Sequence, residues 1–251
     1  IDINFYPTEE ARNSNIKNRP IGLGIMGTHD LLHKLGIFYD SKGAVELCDK
    51  VQEFISLHAI RTSALLAKER GTYPTFGGSE WDKGNFPIDT FCELISQRKP
   101  REVANDRLSF ETLEEWDSVR DLVSQYGMRN SNVMAIAPTA TISYIQGCSQ
   151  SIEPDYSVLF VYSTLSGEFT MVNEHFVAAA KKSGIWSQAL VDALKSVDGD
   201  VSSLVDLDDS LKEQFKNAFD VDFHILIEAA AARQKWIDMG QSLNLYNKHE
   251  S

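Results

Sequence analysis

The chain has 251 residues, enough to bury one sizeable core. Its 36 acidic side chains outnumber 24 basic ones, giving a net charge of -12 with no long basic run, which argues against a grip on nucleic acid. No stretch of about 18 apolar residues occurs, so no membrane span is expected, and the polar start IDINFYPTEEARN does not read as a signal peptide. Three scattered cysteines (Cys48, Cys92, Cys148) form no C-x-x-C pair and no disulfide framework, which favours a reducing, cytoplasmic setting.

From the N-terminus, Thr8-Glu9-Glu10 can open a short helix, because acidic side chains suit its first turn. Arg19 to Ile25 reads as a glycine-interrupted strand or turn. A helix through Asp30–Leu35 should end at Gly36. Residues 41–70 form the longest expected helix, with Val45, Cys48, Val51, Gln52, Ile55, Ala59 and Leu65 near helical spacing and Gly71 as the stop. Residues 71–87, GTYPTFGGSEWDKGNFP, form a loop whose aromatics suit packing over a core. Helices at 88–98 and 112–126 follow.

Residues 132–154, NVMAIAPTATISYIQGCSQSIEP, begin with a buried strand (Val133 to Ala137) that stops at Pro138. A hydroxyl-dense turn, Thr139-Ala140-Thr141-Ile142-Ser143, then leads into a helix start. Such a turn can hold an anion through backbone N–H groups, hydroxyls and a helix dipole. A capped strand end is the alternative. No basic residue lies between Arg129 and Lys181 to supply charge.

Ser157 to Tyr162 has strand propensity. Helices are expected at 173–183 and 187–196, then a solvent-facing acidic stretch from Asp198 to Asp209. A closing helix should run from Asp222 to Tyr246, burying Phe223, Leu226, Ile227, Ala230, Ile237 and Leu243. Strands alternating with helices favour an α/β fold. No repeat or Ser/Pro linker marks an internal boundary. The start at Ile1 and the stop at Ser251 both look cut from something larger.

Several motifs compete for chemistry. Gly22-Leu23-Gly24-Ile25-Met26-Gly27 matches the G-x-G-x-x-G of dinucleotide folds and keeps open an NAD(P)-binding oxidoreductase domain. Asn18-Arg19-Pro20 is a poor strand to precede it, so glycines serving close backbone packing are the alternative. His29 and His33, at i and i+4, can face one way, but no third ligand or Glu-x-x-His pair is evident, so no metal is expected. Cys148 has no neighbouring base and reads as inert packing. Arg129-Asn130-Ser131-Asn132 can bind a ligand or close a turn, and Gln234, Gln241, Ser242 and Asn244 give the last helix a polar face.

Four segments together resemble the catalytic large (α) subunit of aerobic ribonucleotide reductase: IDINFYPTEEARNSNIKNRPIGLGIMG (1–27), MRNSNVMAIAPTATISYIQGCSQSIEP (128–154), LFVYSTLSGEFTMVN (159–173) and AAARQKWIDMGQSLNLY (230–246). They occur in the family's order and span nearly the whole chain. The resemblance implies that residues 1–251 are a later portion of a ten-stranded α/β barrel. In the family, a thiyl-radical cysteine on a finger loop attacks the ribose of a nucleoside diphosphate.

That cysteine stands two residues before a glutamate, and Cys48, Cys92 and Cys148 all lack the spacing. The radical-relay tyrosine pair and the regulatory N-terminal cone are absent too. The resemblance therefore implies no catalytic residue in this chain, no bound cofactor, and a fragment inactive by itself. What it carries over is the substrate-phosphate turn, on Thr139, Ala140, Thr141, Ile142 and Ser143. Ala140 stands where some relatives have glutamate, so its contribution comes from the backbone.

The implied partners are the nucleoside diphosphate, the remaining segments of the large subunit, a small radical-generating subunit of diiron type and a second large subunit. An adenosylcobalamin-dependent relative is the other reading of the radical source. A non-catalytic interaction module, assembling with complementary chains, is a further alternative.

Overall fold

The computed structural model describes residues 1–97, 113–164 and 167–247. The far ends of the helices expected at 88–98 and 112–126, and the tail with His249, lie outside the described residues. The chain divides into two compact units that interleave in sequence. The first comprises Ile1–Gly24, Glu46–Ala137 and Glu228–Ser242; the second comprises Ile25–Val45, Pro138–Ile227 and Leu243–Ser251. No single cut in the chain separates them.

The first unit opens with α1 (Glu9–Asn18), whose first turn is capped by the Thr8 hydroxyl accepting from the Ala11 N–H at 3.2 Å. Three short parallel segments follow from the apolar runs. Leu23 bridges Met134, and Ile136 bridges Gln241, so residues 133–136 lie between the other two. The backbone bonds Leu23 N–H to Val133 O (2.8 Å) and Ile136 N–H to Gly240 O (3.1 Å) set the register. An Asp238 carboxylate closes the start of the middle segment, accepting the Val133 and Met134 N–H groups at 2.8 Å each.

The long helix α3 (Lys42–Arg70) belongs to this unit from Glu46 onward. Its inner face differs from the expected stripe. Val45, Cys48 and Gln52 are buried as expected, but Leu65 is 44% exposed and Val51, Ile55 and Ala59 are half-buried, whereas Asp49, Glu53, Ser56 and Ser63 are buried. The reason is chemical: this face carries polar partners as well as apolar area. Asp49 accepts from Lys235 Nζ (2.8 Å) and Trp236 Nε1 (2.6 Å), and Glu53 accepts from Trp116 Nε1 (2.9 Å). Asn130 joins Ser63 (3.0 Å) to the Arg19 carbonyl (2.9 Å), and Arg129 covers the end of α3 at the Arg70 and Gly71 carbonyls, so residues 129–132 close a turn.

The loop after α3 packs as expected, with Tyr73, Trp81 and Phe86 buried. Behind it, α4 (Pro87–Gln97) and α5 (Leu113–Tyr126) are joined by a two-pronged pair, Arg120 to Asp89 at 2.7 and 2.8 Å.

The second unit holds α2 (Thr28–Leu35), capped by left-handed Gly27 and Gly36, and the short α6 (Ile142–Gln146). A hairpin follows, β1 (Leu159–Thr164) antiparallel to β2 (Gly167–Val172), with Leu159 opposite Val172. The first strand matches the apolar run Ser157 to Tyr162; the second, largely exposed and half polar, gave no periodic signal. Then come α7 (Glu174–Lys182), α8 (Gln188–Ser196) and α9 (Asp209–Gln214).

Two expectations fail here. The acidic stretch from Asp198 to Asp209 is not wholly solvent-facing: Val201, Leu204 and Leu207 join Val158, Phe176, Leu194 and Phe215 in this unit's core. The closing helix, α10 (Phe223–Gln234), stops well short of Tyr246. Lys235 and Trp236 leave the helix to reach Asp49, and Gln241 enters the parallel segments, so the polar residues beyond Gln234 are not one helix face. Leu226, Ala230 and Ile237 are buried as expected, but Phe223 and Ile227 are each 44% exposed.

Candidate functional site

Pro138 ends the apolar run, and the loop after it is held by an unusual residue. Thr139 has φ 52°, a left-handed conformation that a β-branched side chain rarely adopts and that costs about 1–3 kcal/mol. Its hydroxyl accepts the N–H of Ser151 at 2.8 Å; Ser151 is itself left-handed, at φ 46°. Two strained residues thus brace each other across the loop. Thr139 O also accepts the Ser143 N–H at 3.0 Å, and Ser143 O accepts the Cys148 N–H at 3.0 Å, closing the turn through α6.

Between these braces Ala140, Thr141 and Ile142 are exposed. Among the described residues their N–H groups donate to no acceptor. Ser143 is the opposite case: it is 0% exposed, and its hydroxyl meets no partner. The five residues singled out from the sequence therefore divide by environment. Thr139 fixes the loop, three successive residues present free amides, and Ser143 offers an unsatisfied buried hydroxyl.

The start of α2 is clasped to the segment behind the loop. Gly27 N–H donates to Ser149 O (2.9 Å) and Thr28 N–H to Ser151 O (3.4 Å). The Asp30 carboxylate accepts the Ser149 N–H at 2.7 Å, while Asp30 N–H reaches the Ser149 hydroxyl at 3.3 Å. The hydroxyls of Thr28 and Ser151 are buried nearby in this clasp without partners. Beside it lies an open cleft of about 280 Å³, bordered by Asp30, Tyr144, Cys148, Asp155, His175 and Tyr246. None of residues 139–143 lines that cleft. Burial, reinforced by Tyr156, pushes the Tyr246 phenol well above its usual range, so it stays a neutral hydroxyl. Burial and the Asp30 charge push the Cys148 thiol up as well.

The glycine motif serves packing. A Cβ on Gly24 would stand 2.4 Å from the Ala135 carbonyl oxygen, and one on Gly22 would stand 3.1 Å from the Ala135 Cβ. Both glycines let the parallel segments of the first unit approach. Gly27 carries a left-handed φ of 79° and begins α2 in the second unit.

His29 and His33 do face one way, their ring centroids 4.0 Å apart. The third group that the sequence did not reveal is Asp155, whose carboxylate lies 3.4 Å from His29 Nδ1 and 3.7 Å from His33 Nε2. No local spacing signals it, because Asp155 is far along the chain from α2.

The family model for the ribonucleotide reductase barrel domain matches residues 1–251. The chain is 51% identical over 246 residues to ribonucleoside-diphosphate reductase subunit alpha of Chlamydia trachomatis, covering 98% of this chain and 23% of that protein. The large subunit of Arabidopsis thaliana is 33% identical, covering 98% of this chain and 28% of its own length. Among solved structures, the class Id ribonucleotide reductase alpha subunit of Actinobacillus ureae aligns with a TM-score of 0.67 at 25% identity, covering 94% of this chain and 34% of that one. The chain thus spans about a quarter of the length of the curated relatives it matches.

Proposed function

The chain belongs to the ribonucleotide reductase barrel-domain family, and from that premise we propose that it supplies the substrate-phosphate loop of a ribonucleoside-diphosphate reductase. It is then a later portion of the α/β barrel, working in the cytoplasm. The observation that carries this reading is the run of free amides at Ala140, Thr141 and Ile142, held by the Thr139–Ser151 brace. Three successive N–H donors on an exposed turn suit the terminal oxygens of a diphosphate, and they need no lysine or arginine. The Thr141 hydroxyl adds a fourth donor. Ser143 gains, in the same reading, the partner its buried hydroxyl lacks.

The loop's contribution is positional. Preorganised donors fix the diphosphate, and the diphosphate fixes the ribose under a reactive group supplied from elsewhere. The thiyl-radical cysteine and its assisting carboxylate belong to segments other than this chain. Among the described residues, the one cluster of three metal-ligating side chains (His29, His33, Asp155) has a single carboxylate. It does not suit a carboxylate-bridged dimetal centre, so a diiron-type radical source belongs to a separate small subunit in this proposal. The other segments of the large subunit and a second large subunit complete the assembly.

The test uses a complete large subunit containing this region. Thr141→Ala and Ser143→Ala are each expected to weaken nucleoside diphosphate binding by about 1 kcal/mol or more, through loss of a hydrogen bond to a charged group. Unchanged affinity in both variants removes the phosphate role. The chain by itself, supplied with a partner small subunit, is expected to turn over no ribonucleoside diphosphate; any turnover would overturn the assignment of the radical chemistry to other segments.

A further inference from the structure

We propose that His29, His33 and Asp155 form a binding site for one divalent late first-row transition ion of the zinc type, with a fourth position left for a small ligand such as water. The site is separate from the phosphate loop. It rests on the way three electron-rich atoms converge in a buried place.

One turn of α2 separates the two histidines, which puts both rings on one helix face. His29 is 2% exposed, and the His33 side chain is 1% exposed. His29 Nδ1 accepts the Asp155 N–H at 2.9 Å, so that nitrogen carries a lone pair and no proton. It nevertheless stands 3.4 Å from the Asp155 carboxylate oxygen, which also carries lone pairs. Two acceptors facing each other at that distance do not form a hydrogen bond. A cation between them would serve both lone pairs, in place of the Asp155 N–H and Asn173 amide donors they hold in its absence.

His33 adds the third donor. Its Nε2 lies 3.7 Å from the same carboxylate oxygen, and its Nδ1 lies 3.4 Å from the Gln214 side-chain amide. With the amide oxygen turned inward, Gln214 accepts the Nδ1–H, the usual support for a ligating histidine, and leaves Nε2 as the lone-pair nitrogen, facing the Asn173 side-chain nitrogen at 3.5 Å as well as the carboxylate. Asn173 donates to the Asp155 carboxylate at 2.9 Å and so orients it. Phe215, stacked on His33 at 4.6 Å, and Tyr39, edge-on to His29 at 4.9 Å, wall the rings in.

The distances suit a small tetrahedral ion. Donors about 2.0–2.1 Å from a zinc centre are about 3.3–3.4 Å from one another. The His29–Asp155 edge is already 3.4 Å, the His33–Asp155 edge is 3.7 Å, and all three ligand atoms lie within 4.8 Å of one another. Side-chain shifts of under an ångström close the set, and the Asp155 N–H bond to Nδ1 is the interaction exchanged for the metal. Two imidazoles and one carboxylate suit zinc, cobalt or nickel, and disfavour magnesium or calcium, which take oxygen ligands. The bound ion ties α2 to the segment that follows the Ser149–Ser151 clasp.

The experiment takes the full 251-residue chain, stripped with a chelator, and titrates Zn2+ in competition with a chromophoric chelator and Co2+ by visible absorption. One equivalent should bind, with the intense ligand-field bands of four-coordinate Co2+ and no cobalt–thiolate charge-transfer band. Asp155→Asn and His33→Gln should each weaken Zn2+ binding at least about tenfold, the lower end of what even outer-shell partners contribute. His224→Asn, on an exposed histidine, should change nothing. Absence of stoichiometric Zn2+ binding by the folded chain, a thiolate band, or affinity unchanged in both ligand variants overturns the site. Stoichiometry and spectrum on the unaltered chain decide the matter even where one variant fails to fold.

Discussion

In the first unit, Asp49 and Glu53 are both 0% exposed, yet each accepts indole or ammonium donors from its own unit. In the second, Thr28, Ser143 and Ser151 bury hydroxyls that meet no partner among the described residues. Both arrangements withdraw polar atoms from water; the two carboxylates are completed, whereas the three hydroxyls, and the Gln52 side-chain oxygen in the first unit, are not. Buried polar groups that are fully satisfied stiffen a core, whereas unsatisfied ones need an explanation such as a ligand or an ordered water. The contrast is between buried carboxylates anchored by indole and ammonium donors and buried hydroxyls that have no such anchor.

The contrast is most open to breakage at the Asp49–Lys235 pair. Lys235→Met removes the ammonium and leaves the buried Asp49 carboxylate without its charged partner, though still bonded to Trp236 Nε1. The expected loss is about 3–5 kcal/mol in denaturant unfolding. Combining it with Asp49→Leu should recover part of that loss, because an apolar pair leaves no stranded charge. A loss below about 1 kcal/mol in the single variant would mean that the pair is not a structural anchor.

A second break point is the glycine motif. Gly24→Ala would drive a Cβ to within 2.4 Å of the Ala135 carbonyl oxygen, whereas Gly22→Ala meets only a side-chain methyl at 3.1 Å. The expected cost is about 1–3 kcal/mol at Gly24 and less at Gly22, read as a shift in unfolding midpoint. Equal, small effects at both positions would remove the packing role, as would an NAD(P) titration that changed the tryptophan fluorescence.

These two regions were unequally legible in the sequence. Helix ends were readable because their signals are local: Thr8, Gly36 and Gly71 stand where caps and stops belong. The inner face of α3 was misplaced because Asp49 and Glu53 look like solvent-facing charges until Lys235, Trp236 and Trp116 arrive from elsewhere in the chain. The same blindness extended the last helix to Tyr246, since nothing near Trp236 announces that it leaves the helix for a distant carboxylate. The turn at residues 139–143 was legible as a run of hydroxyls and backbone amides, but not the split within it. Only the fold shows that Thr139 is spent on Ser151 while Ala140 to Ile142 keep their amides free. Asp155 was invisible as a partner of His29 for the same reason.

In the second unit the expectation reverses. Ser143→Ala removes a hydroxyl with no partner, so stability should stay within about 0.5 kcal/mol of the parent or rise slightly. The nucleotide affinity of a complete large subunit should nevertheless fall. A clear loss of stability would instead show that the hydroxyl is satisfied in the folded chain, and the two regions would then differ less than their geometry indicates.

The smallest effect sharpens the contrast through two thiols. Cys48 is buried in α3 of the first unit, and burial pushes its thiol up; Cys148, half-buried beside the clasp, is pushed up by burial and the Asp30 charge. A raised thiol is mostly protonated at neutral pH, and only the thiolate is a good nucleophile. Alkylation of native Cys148 should therefore be slow near pH 7 and quicken as pH rises through and beyond the ordinary thiol range. Cys48 should stay silent across that range and react only when denaturant opens the first unit. Peptide mapping after timed iodoacetamide labelling separates the two. Fast labelling of Cys148 at neutral pH would mean an activated thiol beside the clasp, while labelling of Cys48 without denaturant would mean that the core of the first unit opens readily in the native chain.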